Sequence, residues 1–267
     1  MPLQAKISSM TDYLLCCYKN SLGKMLLMSL CICGCVCLDN SDAMPYLFHK
    51  SGSITVSYYI VNSMIFGGQL LPYFGGVFSS GVLAAENCRE RLSEMSLYVI
   101  GRMGERKYSV YRTAYTCLGG AAVYAGGMLL FVVGASVFVP FYSNALDPEY
   151  SAFPYFSLLS HGSGMGYLCV ILYLMALSGA FYGAVAMLCD VLFDNIYVVA
   201  ASPLLVSCLM TRFFVLLRIP AFLRFDLWLQ ARTSFVSDGL TLVLCTAVVL
   251  LAVVLCRRIY YGKLRGE

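Results

Sequence analysis

The chain has 267 residues, 60% of them hydrophobic and only 12% charged, with a net charge of +4. A soluble domain of this length would carry about twice that share of charge, so this composition, with a mean hydropathy of +0.77, excludes an ordinary soluble fold and calls for several membrane spans. The slight basic excess follows membrane topology and implies no nucleic-acid partner, and the cysteines, mostly inside apolar runs, read as small hydrophobes rather than a disulfide framework.

At ~20 residues per span plus loops, the length has room for about six spans. The first apolar run is 22–38. Its "CICGCVC" stretch sets Cys31, Cys33, Cys35 and Cys37 two apart. Each step of two turns a helix by about 200°, so the thiols cannot converge on one metal ion. Asp39-Asn40 closes the run like a loop, and no small-x-small cleavage site follows, so it reads as a span rather than a leader. The second span, 57–85, contains Asn62 and Gln69, read as polar bonds to a neighbouring helix, and several glycines. The third, 113–141, carries Gly119, Gly120, Gly126 and Gly127. Each pair seven apart returns to nearly the same face, a pattern for close helix packing within the chain.

The fourth span, 163–189, follows "SHGSGMG". An intramembrane serine protease would need a histidine on a later span, and none follows His161. Asp190 and Asp194 read as a solvated junction at the end of this span. The fifth span, 195–217, contains Pro203. After Pro220, "AFLRFDLWLQAR" reads as a short interfacial or re-entrant helix on the outer side, with Trp228 anchored at headgroup depth. The sixth span is 239–256, before a basic tail.

With the N-terminus placed inside, thirteen of the eighteen Lys and Arg residues fall on the inner side, which predicts both termini in the cytoplasm. The fold expected is all-α: a single polytopic domain, 1–267, of six spans. No phosphate-binding loop occurs, so no ATP site, cofactor, metal centre or catalytic residue is expected on this chain.

The inner loop 86–112 is the densest charged stretch. "ENCRERLSEM" leads into "SLYVIGRMGERKYSVYR", where Leu92, Met95 and Val99 recur at helical spacing within mixed charge, the pattern of an amphipathic helix. This loop resembles that of permease subunits of type-2 ATP-binding-cassette exporters, in the small six-span form of Firmicutes. Those permeases often read E-x-x-x-G, a hydrophobic run, then R-x-G-x-x-K-Y. Glu86 or Glu90 corresponds to the leading Glu, and Arg102, Gly104, Lys107 and Tyr108 match the second half. Glu94 stands at the expected Gly, counted from Glu90, and Met103 at the Pro of the broader family. The resemblance implies a dimer of permeases in the bacterial plasma membrane, as a second copy or a paralogue. It also implies a separate ATPase subunit that binds ATP and grips the inner coupling helix through Glu86, Glu90, Arg102, Gly104, Arg106, Lys107 and Tyr108. The other reading open at this point is a non-transporting membrane scaffold or sensor subunit.

Overall fold

The structure, a computed structural model, describes residues 10–48, 54–66, 70–93, 95–142, 154–161 and 163–266. Among these residues every regular element is helical. In chain order they are α1 (Met10–Asp39), α2 (Met44–Phe48), α3 (Val56–Val61), α4 (Leu70–Gly76), α5 (Val82–Arg91), α6 (Met95–Met103), α7 (Glu105–Ser136), α8 (Phe156–Ser160), α9 (Gly164–Leu192), α10 (Ile196–Leu216), α11 (Phe225–Leu229) and α12 (Asp238–Arg265). Stretch 21–39 of α1, together with α7, α9, α10 and α12, makes five helices long and apolar enough to cross a membrane. The chain is a multi-pass α-helical membrane protein.

The predicted second span is not one regular helix. Between Val56 and Arg91 the chain passes through α3, a π-helical turn Asn62–Phe66, α4, a second π-helical turn Val77–Gly81, and α5. Gln69 lies outside the described residues. A helix that restarts within an apolar bundle has N–H groups without intrahelical acceptors, which must be satisfied internally. Asp39, at the end of α1, does this, accepting from the Leu70 and Leu71 N–H groups at 3.1 and 3.0 Å. Asn62 bonds a neighbouring segment as expected, its amide donating to Asn40 Oδ1 at 2.8 Å. The hydroxyls of Tyr124 and Tyr182 reach the carbonyls of Leu71 and Pro72 at 3.1 and 3.3 Å.

Helix α9 is the central post, with 56% of its most apolar window buried inside the protein, against 22% for α10 and for α12. Fully buried Ile32, Tyr59, Met128, Ile171 and Leu174 form the middle of the core between α1, α3, α7 and α9. Glycines of α7 let these helices come close. A Cβ on Gly120 would lie 2.9 Å from the Gly179 carbonyl and one on Gly127 2.8 Å from the Ser29 carbonyl. Gly126 stands near the Ser29 hydroxyl, and Gly119 is buried. Gly120 thus seats α9 and Gly127 seats α1.

Two boundaries depart from expectation for one physical reason. Charge marks where a helix leaves an apolar surround, not where the helix ends. Helix α7 starts at Glu105 rather than 113, and α12 runs to Arg265 rather than 256. Among the described residues, the expected loop 86–112 is therefore helical except at Leu92, Ser93 and Gly104. Trp228 is not a lipid-facing anchor. It is 8% exposed and packs edge-on against Phe225 and Phe235, and its indole N–H donates to the Phe222 carbonyl at 3.0 Å.

Candidate functional site

Helix α5 carries Glu86 and Glu90 on one stripe and Asn87 and Arg91 on the next, each pair one turn apart. These four side chains tie together most of the bundle. Glu86 is ion-paired with Lys24 of α1 and accepts from the Tyr115 hydroxyl at 3.0 Å. That hydroxyl also meets Ser21 Oγ at 2.5 Å. Asn87 is fully buried; its carbonyl oxygen accepts from Arg112 Nη1 at 2.9 Å, and its amide bonds the Thr116 hydroxyl. Glu90 is ion-paired with the same Arg112, whose guanidinium lies 5.3 Å from the centre of the Tyr108 ring.

Arg91 reaches in the other direction, to α9. Its Nε and Nη2 both donate to Asp190 Oδ1 at 3.1 Å, and Nη2 also donates to the Asp190 carbonyl at 2.8 Å and meets Asp194 Oδ1 at 2.9 Å. Lys263 of α12 stands 3.7 Å from the Asp194 carboxylate and donates to the Val191 carbonyl. The expectation that Asp190 and Asp194 are both solvated holds for only one of them. Asp194 is exposed, whereas Asp190 is fully buried because Arg91 neutralises it inside the protein.

Burial opposes the charge on Arg91, but Asp190 and Asp194 outweigh it and raise its pKa. The hydrogen bond from Arg91, reinforced by the Arg91 and Lys263 charges, holds Asp194 below the usual carboxylate range. The cluster is built to hold helices in register.

Beyond Arg91 the chain projects away from this network. In α6, Val99 and Ile100 pack onto a buried group that includes Tyr108, Met187 and Tyr260, while Leu97 and Tyr98 are 71% and 75% exposed. Leu92, expected on the buried face, is exposed; the Met95 side chain lies outside what is described. Gly104, at φ 79° and ψ 149°, makes the turn into α7 in a backbone region that side chains rarely adopt. Its N–H bonds the Ile100 carbonyl at 2.8 Å and its carbonyl accepts from the Tyr108 N–H at 3.1 Å.

The seven residues predicted to couple to a partner thus divide. Glu86, Glu90 and Tyr108 are spent inside the bundle, and Arg102, Gly104, Arg106 and Lys107 are exposed at the elbow between α6 and α7. Among the described residues no carboxylate lies within ion-pair reach of Arg102, Arg106 or Lys107. Sequence reading missed Asn87, Arg91 and Asp190. Only the one-turn spacing of Glu86 with Glu90 and of Asn87 with Arg91 hinted at two working stripes on α5. The chain matches no family model, and no curated protein or solved structure matches it.

Proposed function

We propose that the chain is the permease subunit of an ATP-driven exporter of the type-2 ATP-binding-cassette kind, moved by a separate ATPase subunit that docks on the elbow between α6 and α7. The observation that carries this reading is the two-sided build of that elbow. Its tip offers exposed Leu97 and Tyr98 beside exposed Arg102, Arg106 and Lys107, a surface for an acidic partner with an apolar patch. Its root is the Glu90–Arg112 and Arg91–Asp190–Asp194–Lys263 network, so a displacement of the tip reaches α5, α7, α9 and α12 through contiguous ion pairs. ATP would be bound and hydrolysed on the partner, and this chain would supply differential affinity for cargo in two arrangements of its helices rather than covalent chemistry.

In this reading the interrupted stretch 56–91 is the second of six passes, the elbow and both termini face the cytoplasm of a bacterial cell, and segment 221–232 lies at the outer surface. A second copy or a paralogue completes the pathway, with the sparsely buried α10 and α12 facing lipid or that copy. Charge reversal of Arg106 and Lys107 together (R106E/K107E) tests the docking. Each exposed pair is worth only ~0.2–1 kcal/mol, so the double reversal is needed. The variant should insert normally and lose both co-purification of an ATP-hydrolysing protein and stimulation of its ATPase. Wild-type recovery of that partner would reduce the elbow to a topological anchor, and the absence of any ATP-hydrolysing protein from wild-type preparations would favour the scaffold reading.

A further inference from the structure

At the end of the molecule away from the elbow, the turn after α11 builds a second polar site. Helix α11 ends with the Ala231 N–H on the Trp228 carbonyl at 3.1 Å and the Arg232 N–H on the Leu227 carbonyl at 2.9 Å. Ala231 is left-handed, at φ 52°, which completes a Schellman reversal without glycine. The reversal turns Arg232 back toward the bundle, where its Nε donates to the Met64 carbonyl at 2.6 Å. Arg224 grips Asp226 through two bonds, Nε to Oδ1 at 3.3 Å and Nη2 to Oδ2 at 2.7 Å.

Between these groups lies a cavity of about 120 Å³ lined by Pro72, Tyr73, Thr211, Arg224, Asp226 and Arg232, among others. It holds two guanidiniums and one carboxylate, and that carboxylate is already paired with Arg224. Among the described residues no acid lies within ion-pair reach of Arg232. Burial weighs against the Arg232 charge and lowers its pKa, an imbalance that a bound anion would relieve. A smaller chamber of about 20 Å³ adjoins this cavity, sharing Pro72, Asp226 and Gln230 as walls and lined further in by Met64, Met175, Phe181 and Met210. Thr211 stands five residues before the end of α10, about 7.5 Å inside it at 1.5 Å per residue. Because the 21 residues of α10 are about as long as the ~30 Å hydrocarbon core is thick, that depth lies among the tails, and the heads of bilayer amphiphiles stand at the helix end, toward Arg224 and Arg232.

We propose that this cavity binds the anionic head, a phosphate or carboxylate, of one membrane amphiphile, its apolar tail left to the bilayer. Arg232, with no ion-pair partner among the described residues, supplies charge and planar donors suited to such a head, and Arg224, held by Asp226, adds a second cation. The binding requires neither nucleotide nor partner, so it stands or falls separately from the coupling role of the elbow.

Trp228, the only tryptophan, lies in α11 between the cavity-lining Leu227 and Leu229 and reports on the site. The full chain in neutral maltoside micelles is titrated with dihexanoylphosphatidylglycerol, with dihexanoylphosphatidylcholine as zwitterionic control and inorganic phosphate as free anion. The anionic lipid should give a saturable change in Trp228 emission, with affinity at least tenfold tighter than either control. Arg232→Gln should weaken it at least tenfold. Thr211→Glu, which leaves the Arg232–Met64 bond in place and adds a carboxylate to the cavity, should abolish it, and this variant decides the matter if Arg232→Gln does not fold. Equal affinity for the two lipids, or wild-type binding by Thr211→Glu, would overturn the proposal. Inorganic phosphate binding as tightly as the lipid would also overturn it, by assigning the cavity to a free anion.

Discussion

Arg91 and Asp190 are separated by 99 residues and meet where neither is free to find water on the other's loss. Removing one partner of a buried pair leaves the other charge buried, which costs about 3–5 kcal/mol, whereas replacing both with apolar groups is often neutral. Asp194 remains as a second acceptor for Arg91, so Asp190→Asn should cost about 3 kcal/mol, the lower end of that range, and the Arg91→Met/Asp190→Leu double variant clearly less. Thermal unfolding in detergent measures both, and a double variant no better than the single would remove the pair from the account of stability. Asp194 behaves differently with pH. Its folded pKa lies below the unfolded one, so its contribution is present above the unfolded value and is lost as pH falls through the folded value. Hydrogen exchange in the 193–195 turn, corrected for intrinsic rates, should stay flat from neutral pH to about pH 5 and rise only below about pH 4. Gly104 is the other single-residue control point. A Cβ there meets nothing within 4 Å but is forced to φ 79°, a strain of ~1–3 kcal/mol. Gly104→Ala should loosen the elbow, seen as faster trypsin cleavage at Arg102 and Arg106, while the spans stay intact.

At the scale of helices, close approach decides which glycines matter. A Cβ on Gly179 would sit 2.4 Å from the Gly120 carbonyl oxygen, a backbone atom that cannot swing aside, whereas one on Gly134 meets nothing. Gly179→Leu should therefore push α7 off α9 and abolish recovery of monodisperse protein. Gly134→Ala should be neutral or stabilising by up to ~1 kcal/mol through helix propensity. Similar destabilisation by both would mean that the α7–α9 crossing is not as close as described. The glycine spacing in α7 was legible in the sequence because a seven-residue repeat returns to one face. The partners Gly179 and Ile32 were not, since they lie on other helices at no fixed separation. For the same reason Glu86 and Glu90 were recognisable as a charged stripe, but their engagement with Lys24 and Arg112 was not. The long helices showed themselves by hydropathy. The break in 56–91 did not, because π-helical turns and a cap supplied by Asp39 keep an interrupted segment apolar and satisfied.

For the molecule as a whole, the ion pairs gather five elements at one end. Lys24 with Glu86, Arg91 with Asp194, Lys263 with Asp194, and Glu105 with Arg265 bring the early part of α1, the end of α5, the start of α7, the end of α9 and the end of α12 together. Exposed Arg102, Arg106 and Lys107 stand at that same end, and Arg224 and Arg232 lie at the other, joined to the outward-running end of α10. This segregation fits a chain that crosses an even number of times with its basic end in the cytoplasm, because translocating clustered Lys and Arg is disfavoured. In that case stretch 56–91 crosses in spite of its interruptions; if it folded back, the start of α1 and the end of α12 would lie on opposite sides, and the Lys24–Glu86 and Lys263–Asp194 contacts could not both face one compartment. Single cysteines on a cysteine-free background distinguish the two. Arg106→Cys should resist a membrane-impermeant maleimide added to intact cells and react after permeabilisation. Asp42→Cys, at an exposed position between α1 and α2, should react in intact cells. The reverse pattern would invert the orientation. Labelling of both positions from the same side would place them in one compartment, and stretch 56–91 would then fold back instead of crossing.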